Sequence, residues 1–412
     1  MQNDNIQIAL IGAGGMGQGD AGMATSLPGV KLVASCDLYD GRLERSKERW
    51  GPDIFTTRDY REVLARRDID AVIIATPDHW HSRITIDALE AGKDVYCEKP
   101  MVHALDEGPK VIAAQQKTGR ILQIGSQYAS SVVYQKARDL LAQGAIGQLN
   151  SVEAWLDRNT AIGAWEYSIP PDATPERMDW DRFLGSAPRH PFDPTRFFRW
   201  RNYRDYGTGV AGDLFVHLLT GLHFATGALG PNRVYATGGL RFWKDGRDVP
   251  DVMLALLDYP DFNARLRVNF ESALPQESFG VQFIGSEGVI TTSYNSLTLS
   301  QHPRESEPGY TIYTFPLKTQ KEFLAEYHKK YPVKKPSADS LRPNRRQLFE
   351  PKGFNAHLEH HKNFYNAVRT RKPFFEDAVF GYRAAGPALL TNVSYFERRI
   401  CEWNPESMTA SS

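Results

Sequence analysis

Apolar residues in the first third of the chain come in short runs. Ile8-Ala-Leu-Ile11, Leu32-Val-Ala34, Ala71-Val-Ile-Ile-Ala75, Val95-Tyr-Cys97 and Ile121-Leu-Gln-Ile124 each read as a strand buried on both faces. Between them lie charged or amphipathic stretches at 41–50, 60–67, 84–91 and 107–118, which predict helices. Such alternation predicts βαβ units and a parallel sheet. After residue 125 the pattern changes. A helix is predicted over 133–143, a half-buried strand over 148–157 and a helix over 209–226, with an aperiodic stretch rich in aromatics, prolines and arginines at 155–206. Alternating segments at 234–240, 252–259, 264–271, 279–284, 289–292 and 310–315 predict one large, mainly antiparallel sheet. Residues 318–346 are polar, basic and proline-spaced and are expected to form an extended loop. Helices over 355–369 and 382–398 close the chain. The division expected is a parallel-sheet domain over 1–125 and a second α/β domain over 126–412.

Composition narrows the partners. A chain of 412 residues accommodates two domains, and 49 basic against 49 acidic residues give no excess charge for nucleic acid or an anionic membrane. The three cysteines, Cys36, Cys97 and Cys401, form neither a disulfide framework nor a metal-binding spacing. No basic leader precedes the first apolar run, and no run approaches the roughly 18 residues of a membrane span. A cytoplasmic protein without nucleic-acid or membrane partners is expected.

The first run delivers Gly12-Ala-Gly14-Gly15-Met16-Gly17. In a Gly-x-Gly-x-x-Gly turn one glycine makes the bend, one lets the backbone approach a pyrophosphate, and one lets the next helix pack on its strand. The second run ends in Asp37, 20 positions beyond Gly17, where a carboxylate binds the adenine ribose hydroxyls. That combination predicts a dinucleotide, and a carboxylate with only Arg42 nearby predicts NAD over NADP. Thr76, Pro77, His79, Trp80 and His81 follow a strand at its carboxyl end, on a loop expected to pass under the nicotinamide. Glu98 and Lys99 follow the next strand, and Gln127 follows the last.

Four pieces in order, the glycine loop, Ala75-Thr-Pro77-Asp-His-Trp-His81, Glu98-Lys99-Pro100 and Gly212-Asp213-Leu-Phe-Val-His217, resemble the Gfo/Idh/MocA family of oxidoreductases. Asn363-Phe-Tyr-Asn-Ala-Val-Arg369 extends the resemblance towards the end of the chain. It implies a Rossmann domain followed by an α/β domain with a large open-faced, mainly antiparallel sheet. It also implies NAD, a sugar or polyol substrate, and a homodimer or homotetramer joined through that sheet. The stretch 155–206 and the insertion at 318–350 depart from the shorter family members, so substrate identity does not carry over.

Hydride transfer from a secondary alcohol needs a base for the hydroxyl proton and a positive group for the developing alkoxide. Read from the residues alone, Lys99 is a structural lysine paired with Glu98 or a catalytic amine; Asp213 is a helix cap or a substrate ligand; His217 is a core histidine or an acid/base. The resemblance implies the second reading for each, with Lys99, Asp213 and His217 catalytic. Tyr128, Trp165, Arg199, Trp200 and Tyr206 are the further substrate candidates, since flat rings and guanidinium groups suit sugar faces and hydroxyls. His357-Leu-Glu-His360-His361 is not a His-Glu-x-x-His motif, and on a helix expected to be exposed no metal site is expected. The leading expectation is an NAD(H)-dependent sugar or polyol dehydrogenase. The alternatives are a redox-neutral glycosidase or lyase working through a transient keto-sugar, and a non-catalytic NAD-binding sensor.

Overall fold

Two sheets carry the chain in the computed structural model, which describes residues 5–274, 278–302, 308–309, 311–332 and 345–411. The first is wholly parallel. It holds β1 (Ile6–Ile11), β2 (Val30–Cys36), β3 (Phe55–Thr57), β4 (Ala71–Ile74), β5 (Asp94–Cys97) and β6 (Leu122–Ile124) in the order β3-β2-β1-β4-β5-β6. The crossovers are α1 (Gly15–Thr25), α2 (Asp40–Trp50), α3 (Tyr60–Ala65), α4 (Asp78–Glu90) and α5 (Gly108–Thr118). β4 and β5 are buried at every position because helices cover both faces, as their apolar runs, Ala71–Ile74 and Val95–Cys97, require. Strand order reverses between β1 and β4, which opens a crevice at their carboxyl ends.

One boundary in this half departs from the sequence pattern. α4 begins at Asp78, so His79, Trp80 and His81 occupy its first turn and not a loop. Pro77 at the N-cap and Asp78 in the first turn suit a helix start, a signal that outweighs the aromatic composition there.

The second half continues with α6 (Val132–Ala142), β7 (Leu149–Asp157), α7 (Trp180–Leu184), α8 (Pro194–Phe198), a π-helical turn at Ala211–Phe215 and α9 (Val216–Thr226). Then come β8 (Arg233–Gly239), β9 (Val252–Asp258), β10 (Asn263–Asn269), β11 (Ser278–Gly285), β12 (Gly288–Thr292), β13 (Leu297–Gln301), α10 (Leu317–Lys330) and β14 (Arg345–Phe349). α11 (Ala356–Thr370), α12 (Ala378–Glu397), β15 (Cys401–Asn404) and β16 (Thr409–Ser411) complete the chain. The ten strands run in the order β14-β13-β12-β11-β7-β10-β9-β8-β15-β16, antiparallel except where β7 meets β10. α6, α9 and α12 lie over one face. On the other face Tyr235 and Leu256, directly opposite across β8 and β9, are 43% and 56% exposed. Among the described residues no helix is long and apolar enough to cross a membrane.

Four readings change. Residues 317–330 are helical, because Phe323, Tyr327 and Tyr331 recur at four-residue spacing and their rings pack along one stripe, with centroids 6.4 and 5.0 Å apart. The rest of that insertion, 333–344, lies outside the described residues, as does Tyr310. Residues 312–314 form a 3-10 turn and not a strand. β13 to β16, strands of three to five residues at the two edges of the sheet, are not predicted by the sequence pattern. Finally, α11 is not an exposed helix. It returns to the first sheet, where Phe364, Tyr365 and Ala367 share a core with Ile8, Leu10 and Tyr96, and His360 and His361 are fully buried.

The aromatic stretch forms a small core of its own. Met178, Phe183, Leu184, Phe197, Phe198, Tyr203 and Tyr206 pack with Tyr39 of the first half. Arg177 pairs with Glu44 at 2.8 Å, and the Tyr39 hydroxyl donates to Asp172 at 2.5 Å. The segment therefore lies across α2 as a strap over the crevice.

Candidate active site

The glycine loop closes the floor of the crevice. Gly12 has φ +93°, and a Cβ there would stand 2.5 Å from the Ala75 carbonyl oxygen; one on Gly17 would stand 2.0 Å from the Gly12 oxygen. Neither position admits another residue. Gly14 caps α1 without a side chain, so the first-turn N–H groups are left for an anion, and the space in front of Gly15 is open. Asp37 is fixed beside the loop: its carboxylate accepts from the Ala13 N–H at 2.7 Å and the Tyr39 N–H at 3.0 Å. Arg42 approaches Asp37 at 3.5 Å and lies over Phe197 and Phe198 of the strap. From Asp37 the crevice runs past Met16, Thr76, Pro77 and Trp80 to Trp200 and Arg201. Open amides, a fixed carboxylate and an aromatic roof together fit a dinucleotide.

At the far end three charged groups meet. The Lys99 ammonium donates to the Asp213 carboxylate at 2.9 Å and to the Asp213 main-chain oxygen at 3.0 Å. Arg201 donates to the same carboxylate oxygen at 3.2 Å and stacks on Trp200, 4.1 Å from the ring centroid. Burial pushes the Asp213 carboxyl up, yet the charges of Lys99 and Arg201 outweigh it and hold the group well below the usual carboxylate range. Lys99 thus pairs with Asp213, not with the Glu98 side chain, and Asp213 lies inside the π-helical turn and caps no helix. An ammonium has three N–H donors, and two are used. His217, one turn on, is pushed well below its ordinary value by burial and then by the Lys99 charge, so it is neutral. Its Nδ1 has no hydrogen-bond partner, and its ring meets Tyr128 edge-on at 5.3 Å.

This geometry agrees with what the chain is similar to. Residues 6–126 match the model of the oxidoreductase family with an NAD-binding Rossmann fold, Gfo/Idh/MocA, and residues 182–291 match that family's C-terminal domain. The chain belongs to the Gfo/Idh/MocA family. An inositol 2-dehydrogenase of Salmonella paratyphi B is 32% identical over 127 residues, 31% of this chain and 38% of the relative. A glycosyl hydrolase family 109 protein of Shewanella baltica is 31% identical over 163 residues, 37% of this chain and 35% of the relative. The chain thus spans little more than a third of the length of either curated relative. A solved levoglucosan dehydrogenase, in complex with NADH and levoglucosan, superposes with a TM-score of 0.70 at 17% identity, covering 97% of this chain and 99% of that one. At that identity the likeness is one of fold. The Rossmann domain followed by a mainly antiparallel α/β half, and NAD as the cofactor, agree with the sequence reading.

The remaining candidates of this Gfo/Idh/MocA chain fall into two groups. Trp80 and Trp200 line the crevice, while Tyr128 lies against His217 and stacks on Phe279 at 4.7 Å. Gln127 opens the half-buried turn after β6. The other candidates are turned elsewhere. His81 bridges the Pro100 and Thr76 carbonyls at 2.7 and 2.8 Å, stapling the loops after β5 and β4. His79 reaches the Phe183 carbonyl at 2.8 Å and anchors the strap, helped by the indole N–H of the crevice-lining Trp80 at 3.0 Å. Trp165 is 1% exposed against Phe270, and Tyr206 is enclosed with Phe183. Arg199 pairs with Glu166 and donates to the Tyr167 carbonyl. Asp78 was outside the sequence candidates, and Arg201, one of the arginines of its stretch suited to hydroxyls or a carboxylate, was not singled out there. Arg201 holds Asp213, and Asp78 accepts from the Thr208 N–H at 3.0 Å and hydroxyl at 2.7 Å, tying α4 to the segment that enters the π-helical turn. The only sequence signal for them was membership of an arginine-rich stretch and of the Thr76-to-His81 motif; their partners are remote in sequence.

Proposed function

We propose that the protein is an NAD(H)-dependent oxidoreductase acting on a secondary hydroxyl of a sugar, polyol or close derivative. The observation that carries this reading is the Lys99–Asp213 ion pair at the end of the crevice, beside a neutral His217. Bound NAD supplies a nicotinamide that accepts or returns a hydride. Lys99 uses its third N–H to hold the substrate oxygen as it gains negative charge. His217 takes the hydroxyl proton on its ring, and burial, by keeping the ring neutral, leaves it free to do so. Asp213 fixes the direction of the Lys99 amine and, with Arg201, sets the charge of the corner. The exposed apolar pair Tyr235 and Leu256 supports assembly of the subunits through the open sheet face.

The similarity to a family 109 glycosyl hydrolase favours one second reading, a redox-neutral reaction in which the hydride returns to the product. The same corner serves both. Free NADH accumulating with substrate identifies the dehydrogenase; glycoside cleavage without net NADH identifies the other. Lys99→Ala tests the shared core of the two readings. Single-turnover hydride transfer is expected to fall by about 10²- to 10⁴-fold while NADH binding persists, and hydride transfer at the native rate would refute the role of Lys99.

A further inference from the structure

On the first sheet's other face, behind Lys99, three elements bring together groups to which the proposed reaction assigns no role. Asp20 stands on α1, Glu98 follows β5, and His357 lies in the first turn of α11. Each offers a ligand atom, and all three atoms lie within 4.8 Å of one another. Asp20 is 0% and Glu98 4% exposed. Asp20 Oδ2, Glu98 Oε1 and His357 Nε2 have no hydrogen-bond partner. Buried polar atoms are almost always satisfied, so an orphaned atom on each of three clustered residues marks something that completes them.

Protonation alone does not complete them. Among the described residues no hydrogen bond joins Asp20, Glu98 and His357 to one another, and His357 Nε2 is 3.9 Å from the nearer Asp20 oxygen. The gap exceeds a hydrogen bond, yet it is short enough for an ion in the middle to close. A metal about 2.1 Å from each donor needs the donors roughly 3.4 Å apart, so the side chains must draw in by about an ångström. Nor does another side chain supply the charge: no lysine or arginine among the described residues is within ion-pair distance of either carboxylate, and Lys99 is committed to Asp213. Burial pushes both carboxyls up and holds His357 down at about 4, the strain of two acids enclosed without a cation. A fourth side chain is already placed to orient a ligand. His361 Nε2 donates to Asp20 Oδ1 at 3.2 Å while its ring stacks on Tyr96 at 4.5 Å, the arrangement by which outer partners fix a metal-binding carboxylate.

We propose that Asp20, Glu98 and His357 bind a divalent first-row cation, with His361 orienting Asp20. One imidazole and two carboxylates suit Zn²⁺, Mn²⁺ or Fe²⁺, and three protein donors leave positions open for water. The histidines of α11 therefore do hold a candidate metal site, because the helix turns them inward onto the first sheet. The test uses the full chain, stripped with a chelator, loaded with Co²⁺ and dialysed. One equivalent of Co²⁺ is expected to stay bound, with visible ligand-field absorption. His357→Gln, at a partly exposed position, is expected to weaken retention at least about tenfold, and the isosteric Asp20→Asn likewise, with thermal unfolding checked to show that both variants fold. Native protein that retains no more Co²⁺ than the folded variants would overturn the proposal. So would stoichiometric release of the ion on adding NADH, which would assign the three orphaned atoms to the nicotinamide end of the cofactor.

Discussion

At the end of the crevice proposed for the adenine the polar groups come from one short stretch of chain: Asp37 accepts from the Ala13 N–H, 24 residues away, and Arg42 is on the next helix. At the end proposed as catalytic the partners come from opposite halves. Lys99 and Asp213 are 114 residues apart, and Asp78 and Thr208 are 130 apart. The first end is a local device, a strand, a turn and a helix start that any Rossmann unit rebuilds. The second exists only when the halves are docked, and the strap, through His79 and Trp80 on one side and Arg201 on the other, sets its geometry. Perturbing the first should therefore change which cofactor binds, and perturbing the second should change the chemistry at constant cofactor affinity.

The largest effects after Lys99→Ala are expected at the docked end. His217→Ala and Asp213→Asn should each slow hydride transfer by about 10²-fold or more, and the double variant should lose less than the sum of the two, because groups acting as a unit are non-additive. Single-turnover kinetics on the three variants checks this, and fully additive losses would separate the two roles. Arg201→Gln should follow with a smaller loss of roughly tenfold in the same step, about the 1.4 kcal/mol of one charge contact. Arg199→Gln, which breaks the contact with Glu166, should lower the melting temperature instead; equal kinetic losses for the two arginines would place Arg199 at the substrate after all.

Acid sharpens the comparison from the side of stability. Histidines titrate near 6.5 in an unfolded chain. Burial pushes His79 down to about 4 and both His223 and His360 down to about 3. These folded values are depressed, so from about pH 6.5 down to 4 the unfolded chain binds protons that the folded chain does not, and stability falls as pH falls. The slope is about 1.4 kcal/mol per pH unit for each such histidine at most. His360 supports the first sheet and His223 the second, so His360→Gln and His223→Gln should flatten the slope alike if the halves unfold together. Equilibrium unfolding between pH 7 and 4.5 reads this out, and a transition that splits in two would show the halves to be independent.

The smallest effect concerns the adenine end. NADH should bind at least about tenfold more tightly than NADPH, since a 2′-phosphate would face the Asp37 carboxylate, and Asp37→Ser should shrink or invert the ratio. Paired titrations decide it; tighter NADPH binding by the native protein would mean that Arg42, already turned towards Asp37, governs the pocket.

The elements that were legible in the sequence were those whose signal is local. β4 is an unbroken apolar run, and β1 and β5 are apolar but for Gln7 and Asp94, because both their faces are covered, and Gly12 and Gly17 are glycines because backbone atoms occupy the place of a Cβ. The docked corner was legible only in part. Lys99, Asp213 and His217 were named from motifs, but Arg201 was not told from its neighbour Arg199. Side chains two positions apart in an irregular segment diverge, and no periodicity says which way each turns.

By itself, then, the sequence determined the parallel sheet, the glycine turn and its carboxylate, because hydrophobic period and backbone sterics act within a few residues. It also determined which residue types stand ready for chemistry. Only the tertiary structure decided that Lys99 is paired with Asp213 and not with Glu98, that the strap roofs the crevice, and that α11 turns its histidines inward onto Asp20. Those outcomes rest on contacts between segments more than a hundred residues apart, and they are fixed by the burial of whole faces against one another, which no local window contains.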